Sequence, residues 1–164
     1  MNPGNGGWVV LLTIMVAMVF AVFHLPEHWP DWMGWLRPNW LLLVLFFWVM
    51  ELPHRLGLFA AWFLGIAVDA LVGEPLGLNA FIFAGFTYVT WSFYERLRMY
   101  SVVQQCGVVF MLVMVAEGLR SLVLGMGSNQ GFDWNIAMIA LVSALIWPFI
   151  YLFLLRVRTV VKVE

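Results

Sequence analysis

Apolar residues in this chain fall into six long runs, Trp8 to Leu25, Asn39 to Leu52, Leu56 to Val72, Leu78 to Tyr94, Ser101 to Leu124 and Asn135 to Leu155, with polar residues mostly held to the gaps between them. A helix rises about 1.5 Å per residue, so roughly 17 to 25 apolar residues cross a hydrocarbon core of about 30 Å while pairing their own backbone groups. The pattern predicts an all-α polytopic membrane protein, a six-transmembrane-helix bundle forming a single integral membrane domain over 1-164, with spans at about 8-25, 39-52, 56-72, 78-94, 101-124 and 135-155. The second run, 14 residues long, is short for a span, and a re-entrant second segment gives a five-span alternative. Pro26, Pro30, Pro38, Pro53, Pro75 and the group Gly125, Gly127 and Gly131 punctuate the connections and read as turns between antiparallel helices. The first run lacks a basic leading region and a small-residue cleavage site, so it is expected to be retained as a span.

Composition closes off the soluble alternatives: 64% of residues are hydrophobic, 10% are charged and mean hydropathy is +0.95, which leaves no room for a sizeable soluble domain. The sparse charges then set orientation. Arg96 and Arg98 follow the fourth span, Arg156, Arg158 and Lys162 follow the sixth, and Arg55 lies after the second. By the positive-inside rule these ends, and the C-terminus, face the cytoplasm. Six spans put the N-terminus inside too and leave Arg37 and Arg120 outward; five spans put the N-terminus outside and only Arg120 outward. The unbroken apolar stretch Trp40 to Met50 favours six, because a lipid-exposed non-helical segment would leave backbone groups unpaired.

Between the first two spans, Trp29, Trp32, Trp35 and Trp40 gather beside His24, Glu27, His28 and Asp31. An anchor at headgroup level is the simpler account of them, and an outer docking platform is the functional one. His24 and His28 stand four apart but have no convincing third ligand, so no metal is expected. In the third span Gly57, Ala61, Gly65, Asp69, Gly73 and Gly77 recur every four residues. Ala61, Gly65 and Asp69 share a face that admits a close helix, and Asp69 is expected to point at protein. Glu117 and Arg120 stand three apart in the fifth span at a depth similar to Asp69. Charges in hydrocarbon are costly unless paired, so we expect an intramembrane polar cluster of Asp69, Glu117 and Arg120 in which Arg120 bridges the two carboxylates, either as a structural tie between helices or as a ligand or partner contact. Glu51, His54 and Arg55 are expected in a solvated cytoplasmic turn around Pro53, with His54 and Arg55 as contact candidates.

Nothing in the chain points to catalysis. There is no HExxH, GxSxG or phosphate-loop motif, and the single Cys106 reads as a packing residue. Pro148, within the sixth span, is expected to kink it.

The residues also carry a resemblance. Arg37-Pro38-Asn39-Trp40, then Leu52-Pro53-His54-Arg55-Leu56-Gly57, then Gly65 with Asp69, Gly73 and Leu76-Gly77, then Gln104-Gln105, and finally Trp147-Pro148 before a basic tail are together similar to the rod shape-determining MreD family, in order and spacing, from about Arg37 to Arg158. Glu117 and Arg120 lie outside that pattern. The resemblance implies a non-enzymatic subunit of the bacterial elongation complex in the inner membrane, without a cofactor. It would bind the scaffold protein MreC and, through the complex, MreB, RodA and a class B penicillin-binding transpeptidase. It further implies a bundle similar to the substrate-binding components of energy-coupling-factor transporters, from which a small-molecule-binding membrane subunit follows as the alternative reading. Partner binding is expected on one lateral face, at Gly65 and Asp69, together with the outer segment containing Trp32, Trp35, Arg37 and Trp40.

Overall fold

The computed structural model describes residues 5–22, 38–53, 56–125 and 135–161. They form six helices: α1 (Asn5–Val22), α2 (Trp40–Glu51), α3 (Leu58–Val72), α4 (Leu78–Met99), α5 (Val102–Gly125) and α6 (Asn135–Val161). No strand occurs among the described residues. Where helix ends differ from the apolar runs, the cause is visible in the residues. Hydropathy falls at Glu95, Arg96 and Arg98, but charged residues do not break a helix, and α4 runs on to Met99. In the same way α6 continues past Arg156 and Arg158, and its helix also continues through Pro148. Of the six, α5 and α6 are long and apolar enough on their own to cross a bilayer, while α1, α2 and α3 are apolar but shorter.

Large apolar side chains face outward on most helices, including Phe59, Phe81, Val103 and Phe149, each at least 72% exposed. Such a surface is stable only in an apolar solvent. The polar side chains, by contrast, are mostly turned inward or paired.

α3 lies along α4 and α5 along α6, while α2 contacts α1, α4 and α6. Every residue of α2 from Leu41 to Glu51 is buried, which suits a helix that is apolar on all sides. At twelve residues it is only about 18 Å long. Protein therefore surrounds this short helix where a lipid-facing one would need to be longer. Between apolar helices in lipid there is little hydrophobic drive, so close packing and polar contacts must hold it. Phe46 packs edge-on against Trp147 at 4.9 Å and Phe86 at 6.0 Å, Phe47 meets Tyr151 at 5.8 Å, and Trp48 Nε1 donates to Thr13 Oγ1 at 2.9 Å.

Polar groups fasten the C-terminal end of α2. Glu51 does not sit in a solvated turn: its side chain is 5% exposed and pairs with Arg158 of α6 and, at 3.7 Å, with Arg98 of α4. Charged residues drawn in the sequence as the ends of separate spans thus meet at one carboxylate. Close by, Gln105 Nε2 donates to the Leu97 carbonyl at 3.0 Å and its Oε1 accepts from Trp147 Nε1 at 3.2 Å, joining α4, α5 and α6. Replacing Glu51 with Gln removes the charge but keeps the size. We expect a loss of about 2 kcal/mol, read as a lower unfolding midpoint in detergent; an unchanged midpoint would show the two guanidinium groups to be satisfied by water.

Candidate functional site

At the opposite end of α2 the helix termini of α3, α4 and α5 bring a second polar group together. It begins with the hairpin between α3 and α4. Gly73 and Gly77 adopt positive φ, 76° and 103°, conformations that a side chain disfavours, and between them Glu74-Pro75-Leu76 turns the chain. Gly77, the N-cap of α4, has no side chain with which to cap it. Asp69 does so from the preceding helix: its carboxylate accepts from Gly77 N at 2.8 Å, Asn79 N at 3.0 Å and Asn79 Nδ2 at 2.8 Å. These backbone N–H groups have no intrahelical acceptor, and the positive end of the helix dipole favours an anion there. Asp69 is wholly buried, as expected for a group facing protein, and its charge is spent on the start of α4.

Close approach of the two helices makes this reach possible. A Cβ placed on Gly65 would overlap Ala80 Cα and N and lie 2.6 Å from the Asn79 carbonyl carbon. Ala61, Gly65, Val68 and Asp69 form the buried side of α3. The small-residue face expected to receive a partner is therefore filled by the chain's own α4.

From Asp69 the network extends outward. Asn79 Nδ2 also donates to Glu74 Oε2 at 2.9 Å, and Arg120 of α5 pairs with Glu74. The bridge from Arg120 to Asp69 and Glu117 does not form: Arg120's ion partner among the described residues is Glu74. The reason is local. Asp69 lies beneath the hairpin, where the N–H groups of α4 claim it, whereas Glu74 stands in the connection within reach of α5. Glu117 instead accepts from Asn39 Nδ2 at 2.8 Å. Asn39 caps α2 through Oδ1 to Leu42 N at 3.3 Å, and its own N–H donates to Ser143 Oγ of α6 at 3.1 Å. Asn39, Glu74 and Asn79 were the participants that sequence reasoning missed. Their signal was polarity next to an apolar run, which ordinarily marks a turn.

The two branches meet around a cavity of about 190 Å³ whose walls include Asn39, Asn79, Glu117, Arg120, Val68 and Trp40. Trp40 is half-buried there, its ring 5.7 Å from that of Phe20. Asp69 thus joins Arg120 only through Asn79 and Glu74, while Glu117 and Arg120 share the cavity wall. Trp32, Trp35 and Arg37, and likewise His54 and Arg55, lie outside the described residues. No group of three or more His, Cys, Asp or Glu suited to a metal occurs among the described residues.

The Glu74–Arg120 pair is partly exposed, with side chains 13% and 31% accessible. We expect a double-mutant cycle on Glu74→Ala and Arg120→Ala to give a coupling of about 1 kcal/mol, and the cycle of Asp69→Ala with Arg120→Ala to give less. The reverse order would restore a direct Asp69–Arg120 contact.

A sequence profile described as rod shape-determining protein MreD matches residues 5–157. The rod shape-determining protein MreD of Haemophilus influenzae is 30% identical over 157 residues, which cover 96% of this chain and 95% of that protein. No solved structure matches the chain.

Proposed function

The chain belongs to the rod shape-determining protein MreD family, and from that membership we propose that it is a non-enzymatic inner-membrane subunit of the cell-elongation complex that binds MreC laterally and helps couple MreB to peptidoglycan synthesis by RodA and its transpeptidase. The observation that carries this reading is the use made of the polar residues. Asp69, Glu74, Asn79 and Arg120 brace one end of the bundle, and Glu51, Arg98 and Arg158 the other. No nucleophile–base pair forms among these contacts, and the outward surface is chiefly apolar. A protein so built acts by side-to-side contact within the bilayer. On this reading the basic ends of α4 and α6 face the cytoplasm, and the Trp-rich segment with Trp32, Trp35 and Arg37 lies outside, next to Trp40.

Because Gly65 and Asp69 are engaged by α4, the lateral contact falls to exposed faces, of which Phe63 on α3 and Met111 on α5 are representative. Photo-crosslinking residues placed at Phe63, Met111 and Trp32 in cells should capture MreC from one of these positions and not all. No MreC adduct at any of them would overturn the reading.

The cavity by Asn39, Asn79, Glu117 and Arg120 favours the second reading, a small-molecule-binding membrane subunit. Its volume of about 190 Å³ is below the roughly 300–1,000 Å³ of common ligand sites, so it suits water or a very small polar molecule. A tightly retained solute in the purified protein, identified by mass spectrometry, would favour that reading over the scaffold.

A further inference from the structure

A second recess lies between α4 and α5, beside the turn that joins them. Its volume is about 220 Å³, and its walls include Val89, Phe93, Arg96, Tyr100, Val108 and Leu112. Val89, Phe93 and Tyr100 are each at least 40% exposed, so the recess opens outward, toward lipid. Away from the turn it offers no hydrogen bond: the hydroxyl there, on Thr90, is directed to the Phe86 carbonyl at 2.8 Å. Polarity is confined to the end nearest the turn, where Arg96 and Tyr100 stand.

Arg96 brings into this lining a charge that the described residues leave unanswered. It is exposed and has no ion partner among them. Glu95 is two residues from both Phe93 and Leu97, about 200° round the helix, and so lies on the far side of α4, where its carboxylate accepts from the Tyr94 hydroxyl at 3.1 Å. Arg98 is turned away as well, toward the Glu51 carboxylate that it shares with Arg158. The Tyr100 hydroxyl is likewise without a partner among the described residues. An anion at this end would therefore meet a guanidinium and a phenol, and anything attached to it would meet hydrocarbon. α5 is long and apolar enough to cross a bilayer and begins at Val102, which puts the turn, and with it the polar end of the recess, at a membrane surface. From Val89 to Tyr100 the recess runs roughly 16 Å along α4, about the depth of one leaflet.

We propose that this recess binds one anionic phospholipid, its phosphate held by Arg96 and Tyr100 and one acyl chain running past Phe93 and Val89 between the two helices. Basic recesses between helices at a membrane surface suit such headgroups. A neighbouring helix, about 10–12 Å across, would lie over a space of this volume, whereas a single acyl chain enters it. The site requires only that the turn between α4 and α5 lie at a membrane surface, on whichever side, and does not depend on the lateral contact with MreC.

Native mass spectrometry of the full chain, purified in mild detergent and supplied with phosphatidylglycerol or phosphatidylethanolamine of matched acyl chains, tests the proposal. One phosphatidylglycerol should be retained per chain, with a preference of about fivefold. Arg96→Gln should reduce that preference to near parity, and Val89→Trp, which fills the recess from its open side, should reduce retention of both lipids. Arg156→Gln, which removes an exposed charge of α6 outside the recess, should leave the preference as it was. Unchanged preference in Arg96→Gln, unchanged retention in Val89→Trp, or an equal loss in Arg156→Gln, which would mark a diffuse surface charge, overturns it. A photo-crosslinking residue at the exposed Phe93 in cells gives a readout that does not depend on those variants folding: a lipid adduct supports the site, and an adduct to a polypeptide, or none, overturns it.

Discussion

Gly65→Leu should prevent the protein from accumulating in the membrane. The methyl of alanine alone would overlap backbone atoms of Ala80, and backbone cannot move aside as a side-chain tip does. Overpacking ordinarily costs about 1–3 kcal/mol. Gly65→Ala belongs at the upper end of that range, and the larger leucine should keep α3 and α4 from closing at all. Asp69 would then lose its reach to the start of α4, so the damage would include the polar network. The measurements are abundance in the membrane fraction and, for Gly65→Ala, the unfolding midpoint in detergent. Normal abundance of Gly65→Leu with selective loss of MreC would return the small face of α3 to the outside of the bundle.

Asp69→Ala is the second large effect. It leaves Gly77 N, Asn79 N and one hydrogen of Asn79 Nδ2 without the carboxylate that now accepts them, in a place without solvent access to Asp69 itself. Each stranded buried donor costs about 1–3 kcal/mol, while the second hydrogen of Asn79 Nδ2 keeps its bond to Glu74. A net destabilisation on the order of 3 kcal/mol is expected. Asp69→Asn should do less harm, since its carbonyl oxygen still accepts from one or two of these groups. Thermal unfolding of the purified variants orders them wild type, Asn, Ala; equal midpoints for Asn and Ala would mean that the charge, not hydrogen bonding, is what the hairpin requires.

Much of the helix layout was legible in the apolar runs, because an uninterrupted hydrophobic segment in lipid has few options other than a helix. The inward direction of Asp69 was legible as well, from Ala61 and Gly65 on the same face. What that face packs against was not: a small-residue stripe admits a neighbour without saying whether it comes from the same chain, and here the neighbour is the next helix in sequence. The pairings were harder still. Glu117 and Arg120 are three apart, a spacing that permits contact within a helix, yet Asn39, capping α2, and Glu74, in the turn between α3 and α4, take them up instead. Glu51 looked solvated because it precedes Pro53, and only the assembled bundle shows Arg98 and Arg158 closing over it from residues far along the chain.

The brevity of α2 bears on how the molecule is made. Translocating machinery releases a segment into lipid when that segment alone is long and greasy enough, and twelve residues are fewer than the roughly twenty that a free-standing helix needs. α2 leaves the ribosome early, but the partners that close around its ends, Arg98, Glu117, Ser143 and Arg158, are synthesised later. Its final seat is therefore completed only when the last helix arrives, which makes the C-terminal helix a late keystone for the second.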